Sequence, residues 1–337
     1  MKYLRIVLPL FLFISFGCEE KSKKLTTGFY HWKSIPQNSE DQINYLDKLN
    51  IDHLHYRFFD LALEDGTINP VGEAKIDTSL LKNRSFSSCI FITNACFLKL
   101  NKQDTEDLVE KVLTKLIDRI QKLDLKSSWK EIQIDCDWTE NSRAIYFHFL
   151  KQLKAKMPER ISLSATIRLH QIRYASRTGI PPVDKGTLMC YNMGDIKDVQ
   201  EENSIFNSEI LESYLPAGTE YGLELDIALP LFEWLLVYRD GKLSKIINET
   251  SNTYFDPVED AQELVIDSDQ YFGGHYLYKG DLIRKEAINF KDLEEAVTII
   301  NNTSLKTSKY LLFYHLNEKV IKKYPHDKLA DLCSSIK

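Results

Sequence analysis

Glu131-Ile132-Gln133-Ile134-Asp135-Cys136-Asp137-Trp138-Thr139-Glu140 is the stretch on which the reading of this 337-residue chain turns. Along a β-strand successive side chains point to opposite faces. Ile132, Ile134 and Cys136 therefore share one face, and Gln133, Asp135 and Asp137 share the other. An apolar stripe suits a layer of helices; a stripe carrying two carboxylates suits the interior of a barrel, opening at the strand's C-terminal end.

Outward from this strand the pattern repeats. Runs of β character occur at Gly28–Trp32, His53–Leu61, Cys89–Asn94, Glu131–Trp138, Ile161–His170, Thr187–Met193, Tyr221–Leu229 and Tyr310–Leu316. Between them lie amphipathic stretches such as Ser142–Met157 and Thr105–Leu123, the latter with Leu108, Val112, Leu116, Ile117 and Ile120 at helical spacing. Strands alternating with helices imply parallel βαβ units, and eight of them predict an α/β fold, a (β/α)8 TIM barrel over residues 27–337. Leu61–Lys82, with Gly, Pro and charged residues, reads as a long loop. The segment 239–285, with turn signals Asp240-Gly241, Gly273-Gly274 and Lys279-Gly280, reads as an insertion after the seventh strand with some β structure.

Burying two carboxylates side by side costs several kcal/mol unless partners compensate. Their repulsion raises the pKa of one, which suits an acid/base pair; the bland alternative is an ion network in the barrel core. Other strands also carry polar inward stripes: His53, His55 and Arg57; Ser162, Ser164, Thr166, Arg168 and His170; Glu224 and Asp226. Arg57 and Arg168 can balance the acids. Aromatics at strand ends (Trp32, Phe59, Trp138, Tyr191, Trp234 and Tyr314) offer stacking faces for sugar rings, although any one of them can equally be core. The His53/His55 pair lies early in its strand, away from the expected site, so neither a metal nor another cofactor is expected.

The N-terminus differs in kind. Lys2 and Arg5 precede an apolar run, Ile6–Phe16, of about eleven residues, too short to span a bilayer. That is the order of a secretory signal, residues 1–17. It ends at Ser15-Phe16-Gly17-Cys18, which resembles a bacterial lipobox with Ser15 where leucine is usual. The expectation is an acylated Cys18, a tether over 18–26, and a location in the cell envelope, on the outer membrane and facing the periplasm or the surface. The alternative is a cleaved signal with an incidental cysteine. The other five cysteines have no short paired spacing and read as small core residues. A formal charge of −6 with no basic block argues against nucleic acid as partner.

The fourth strand resembles that of the family 18 glycoside hydrolases, the chitinase-like barrels, whose motif runs D-x-x-D-x-D-x-E. Asp135 and Asp137 match its second and third aspartates, and Trp138 the tryptophan before its glutamate. Leu188-Met189-Cys190-Tyr191-Asn192 is similar to the family's M-x-Y-D/N, and Ala228-Leu229-Pro230-Leu231-Phe232-Glu233-Trp234 to its P-x-Y-G segment. Two departures stand out: Ile132 replaces the first aspartate, and Thr139 occupies the place of the catalytic glutamate, with Glu140 one residue later. The family's acid-and-acetamido mechanism therefore does not transfer intact. Tyr56-Arg57-Phe58-Phe59-Asp60, Ala165-Thr166-Ile167-Arg168-Leu169-His170-Gln171 and Gly179-Ile180-Pro181-Pro182-Val183-Asp184 also resemble a group of bacterial lipoproteins related to those barrels, a likeness that implies fold and export but no specific activity.

These residues point to an exported glycoside hydrolase-like lipoprotein acting on an oligo- or polysaccharide through Asp135, Asp137 and Glu140, with Trp32, Arg57, Trp138, Arg168, His170, Tyr191, Asn192, Asp226, Trp234 and Tyr314 binding the sugar. The alternative is a lipoprotein that binds glycan on the same barrel without cleaving it.

Overall fold

A computed structural model describes residues 25–36, 40–248, 262–272 and 274–336. The expected signal, Cys18 and the tether as far as Lys24 lie outside the described residues. Eight parallel strands form the barrel: β1 (Thr26–His31), β2 (His53–Glu64), β3 (Ser85–Ile92), β4 (Trp129–Asp135), β5 (Ser162–Arg168), β6 (Lys185–Met189), β7 (Leu225–Pro230) and β8 (Thr307–Tyr314). Each pairs with the next, and β1 closes the ring with Tyr30 opposite His55 of β2 and Phe29 opposite Phe313 of β8.

The two faces divide as alternation requires. Ile132 and Ile134, Leu163, Ala165 and Ile167, and Ile227 and Leu229 are fully buried in the layer shared with the helices. The helix Lys102–Lys122 supplies Leu108, Val112, Leu116 and Ile120 to that layer. Asn101 caps it, its Oδ1 accepting the amides of Gln103 and Asp104 and satisfying donors that have no intrahelical partner.

Two segments differ from expectation. The supposed loop 61–82 is partly a hairpin: β2 runs on to Glu64, turns at Asp65-Gly66, and a strand Thr67–Val71 returns antiparallel. Both turn residues have positive φ (49° and 77°), the geometry a two-residue Asp-Gly hairpin requires. The insertion begins earlier than residue 239. Trp234–Arg239 turns at Asp240-Gly241 and pairs with Lys242–Asn248; Leu282–Glu286 and Glu263–Val265 complete a four-stranded antiparallel sheet. Leu235, Val237, Ile247, Ile266, Phe272, Leu277 and Ile283 give this sheet its own small core. A buried Arg284–Glu286 pair ties it to the barrel, with Arg284 donating to the carbonyls of Asp198 and Val199 and Glu286 accepting from Ser204.

Candidate functional site

The inward polar side chains sort into layers along the barrel axis. At the base Lys185 bridges Glu131 (2.9 Å) and Asp226. Ser164 donates to Glu131, and the amides of Lys309 and Tyr310 both donate to Asp226 Oδ1 at 2.9 Å. Burial alone would push the Asp226 carboxyl up, but Lys185 and those amides hold it below the usual range. His53, between Ser85 and Ser87, belongs to this layer; burial pushes its imidazole down to about 3, so it stays neutral. In the middle, Gln133 accepts from Tyr30 Oη (2.7 Å) and donates to Ser164 (3.2 Å) and Thr187 (2.9 Å).

Asp135 is the last residue of β4, and Thr166 of β5 donates to its Oδ1 at 2.6 Å. Burial pushes this carboxyl up to about 6; Arg168 and the Thr166 hydroxyl pull it down, and Asp137 pushes it further up. Asp137, two residues beyond the strand, remains on the same side and meets Arg168 in a fork, Nε to Oδ1 at 2.5 Å and Nη2 to Oδ2 at 3.2 Å. Burial would lower the pKa of Arg168, and the Asp137 pair more than offsets it, so the guanidinium stays charged.

Above them opens a cleft of about 140 Å³ lined by Asp135, Thr166, Arg168, Asn192 and Met189 and walled by Tyr30, Trp32, Phe91, Tyr191 and Tyr314. Tyr191 stacks on Tyr314 (ring centroids 5.3 Å, 25° between planes), and Trp32 leans on Tyr314 at 5.8 Å. The structure thus brings together Trp32, Asp135, Arg168, Tyr191, Asn192 and Tyr314 of the expected residues. Tyr30, Phe91, Thr166 and Met189 were not singled out as binding residues; inward parity with Trp32 on β1 and with Arg168 on β5 marks Tyr30 and Thr166.

Several expected site residues lie elsewhere. Trp138 is fully buried, stacked on Tyr146 at 5.2 Å, its indole N–H donating to the Thr178 carbonyl at 2.9 Å. Its even position in the alternation carries it to the helical side with Cys136. Phe59 is also fully buried, because a bulge between Arg57 and Phe59 reverses the alternation of β2. Asp226, second residue of β7, belongs to the base layer and not to the cleft. Glu140 is exposed and outside the cleft lining. Thr139 is exposed as well, its amide accepted by Ser142 Oγ at 2.9 Å. Arg57 does not line the cleft: it pairs with Asp60, donates to Ser34 Oγ (2.9 Å) and the Trp32 carbonyl (3.4 Å), and lies 5.9 Å from the Trp32 ring, so it braces that wall. His170 follows on the helix Leu169–Arg173, outside the lining. Trp234 borders an adjoining hollow. Among the described residues no three His, Cys, Asp or Glu side chains gather as a metal site would require.

No family model matches the chain, and no curated protein matches it. Solved structures do. A chitinase from Chromobacterium violaceum superposes with a TM-score of 0.54 at 10% identity, over 93% of this chain and 99% of that one. The spore cortex-lytic enzymes SleL of Bacillus cereus and Bacillus megaterium superpose with TM-scores of 0.51 and 0.52 at 14% and 12% identity, over 93% and 94% of this chain and 75% of theirs. At such identities the likeness establishes a shared closed eight-stranded barrel.

Proposed function

We propose that this chain is an exported, lipid-anchored protein of the cell envelope whose cleft binds an oligo- or polysaccharide without cleaving it. The observation that carries this reading is the fate of the acid. Thr139 stands where the chitinase-like motif has its glutamate and is tied to Ser142, Glu140 lies outside the cleft, and Asp137 is forked by Arg168. What is left is a ring-lined cleft with a few fixed polar groups, the chemistry that holds a sugar. The chitinase named above supports the carbohydrate part of the reading. The anchor at Cys18 rests on the lipobox-like sequence.

One observation favours hydrolysis as a second reading: Asp135, in the floor of the cleft, is shifted up to about 6 and can exchange a proton near neutrality. The two readings separate on one experiment. The purified chain and its Asp135→Asn and Asp137→Asn variants are incubated with oligosaccharide panels, following both binding and reducing-end release. Binding with no release by any of the three is the expected result. Release by the wild type that disappears in Asp135→Asn would overturn it in favour of the hydrolase.

A further inference from the structure

The cleft holds a negative charge that its surroundings only partly cancel. Arg168 commits its fork to Asp137, while Asp135 accepts from the Thr166 hydroxyl and, among the described residues, forms no ion pair of its own. Two carboxylates against one guanidinium leave an excess of negative charge at the floor. We propose that the cleft is an ammonium site, in which Asp135 takes the protonated amine of an amino sugar among the rings of Tyr30, Trp32, Tyr191 and Tyr314. The inference rests on the carbohydrate reading above and narrows it from sugars in general to those that carry a free amine.

Three observations carry it. The first is the acid. Asp135 is half-buried in the cleft lining, so its charged form loses hydration without gaining a paired cation. Even with burial pushing it up to about 6, the carboxyl is mostly charged at neutral pH. A carboxylate offers about four lone-pair sites; Thr166 fills one, and an ammonium brings three donors together with the compensating charge. A sugar hydroxyl brings one donor and no charge.

The second is the cage of rings. Tyr30 lies 6.0 Å from Trp32 and 5.8 Å from Tyr314, Trp32 lies 5.8 Å from Tyr314, and Tyr191 stacks on Tyr314. Aromatic rings gathered in this way attract a cation through their quadrupoles, most strongly where water is excluded. Because the rings already pack on one another, little conformational entropy is lost when a ligand arrives. The third is size. At about 140 Å³ the cleft is well below the roughly 300–1,000 Å³ of pockets that enclose a whole small-molecule ligand. It suits a substituent projecting from a sugar ring better than the ring itself. An N-acetyl group in that place is bulkier, uncharged and donates a single N–H, so it matches neither the space nor the charge.

The test compares ligands of one length that differ in one group. The detergent-solubilised full chain is titrated calorimetrically at pH 7 and low salt with tetramers of glucosamine, N-acetylglucosamine and glucose, and with tetramethylammonium chloride. The glucosamine tetramer should bind roughly tenfold or more tightly than the other two. Asp135→Asn should bring the three affinities together. Glu140→Gln, which removes a carboxylate outside the cleft, should keep the preference, and this separates a seated amine from the general attraction of a cationic sugar to an acidic chain. Trp32→Leu should lower the preference severalfold and Trp32→Phe should restore most of it, which separates loss of the ring from loss of the fold. Equal affinities for the three tetramers in the wild type, or a preference that survives Asp135→Asn, overturns the ammonium site and leaves the carbohydrate reading. Failure of every tetramer to bind overturns the carbohydrate reading and the amino sugar with it. Tetramethylammonium bound in that case, and lost in Asp135→Asn, keeps the ammonium site for a cation that is not a sugar.

Discussion

Two ion clusters of nearly the same composition sit one above the other inside the barrel. The lower has Glu131, Asp226 and Lys185; the upper has Asp135, Asp137 and Arg168. Each is two carboxylates and one cation, and β4 contributes an acid to both. In the lower cluster both acids are fully buried, and hydroxyl, ammonium or amide donors reach their oxygens. In the upper cluster Arg168 commits its fork to Asp137, whose side chain is 46% exposed, and Asp135 is left with one hydroxyl donor beneath an open cleft. Residue type does not distinguish a structural ion triad from a site. Position along the strand does, because the base of the barrel is closed and the C-terminal end opens.

Removing the cation from each cluster should have the largest effect. Lys185→Met leaves two buried carboxylates facing each other and should cost on the order of 3–5 kcal/mol of stability, read from urea denaturation at pH 7. Arg168→Met acts on a pair that is partly solvated and should cost about 1 kcal/mol or less. Equal losses would mean that both clusters are structural.

A smaller effect should come from Asp135 itself. Its folded-state pKa, about 6, lies above the ordinary aspartate value of roughly 3.9, so between those pH values the folded state binds more protons than the unfolded one. Stability should therefore fall as pH rises through that window and level off above it. Asp135→Asn should abolish this slope and be more stable than wild type at pH 7 by on the order of 1–3 kcal/mol. Denaturation midpoints across pH 4–8 give the measurement, and an unchanged slope in the variant would assign the titration to another group. Because Arg168 holds Asp135 down, Arg168→Met should also move that titration above 6, seen in the side-chain carboxyl carbon signal by NMR.

How much of this was legible in the sequence depends on what kind of signal each residue carries. Eight strands, the helix between Lys102 and Lys122, and the inward face of β4 follow from periodicity, which buried layers enforce. The ends of strands do not follow from it. β7 starts at Leu225, so Asp226 lies at the base, whereas a strand drawn from Tyr221 carries it toward the cleft. Phe59 was lost to a bulge that periodicity cannot foresee. Trp138 differs: its even position marks it as outer layer, where the structure buries it against Tyr146, although an aromatic at a strand end also suggests a sugar-stacking face. The pairing of Glu233 with Lys319 carries no sequence signal, because the two are 86 residues apart and only the barrel's closure brings them together.

The smallest effect is assigned to Glu140, and it bears most directly on function. Glu140 is one residue beyond the place where the chitinase-like motif has its acid, so a slip of one position would let it act there. A strand cannot absorb such a slip without a bulge, since one residue reverses the direction of the side chain. Here the β4 ladder ends at Asp135, opposite Phe91, and Thr139 and Ser142 lead into the helix Arg143–Lys156. Thr139 accepts the amides of Ser142 and Arg143 through its carbonyl at 3.2 and 2.9 Å, so the turn containing Glu140 is pinned on both sides. Swinging Glu140 into the cleft would mean breaking those bonds. Glu140→Gln should therefore change stability by no more than about 0.5 kcal/mol and leave oligosaccharide affinity unchanged. Reducing-end release by the wild type that vanishes in Glu140→Gln would show that the turn does open to deliver an acid, and would make the upper cluster the floor of a working hydrolase.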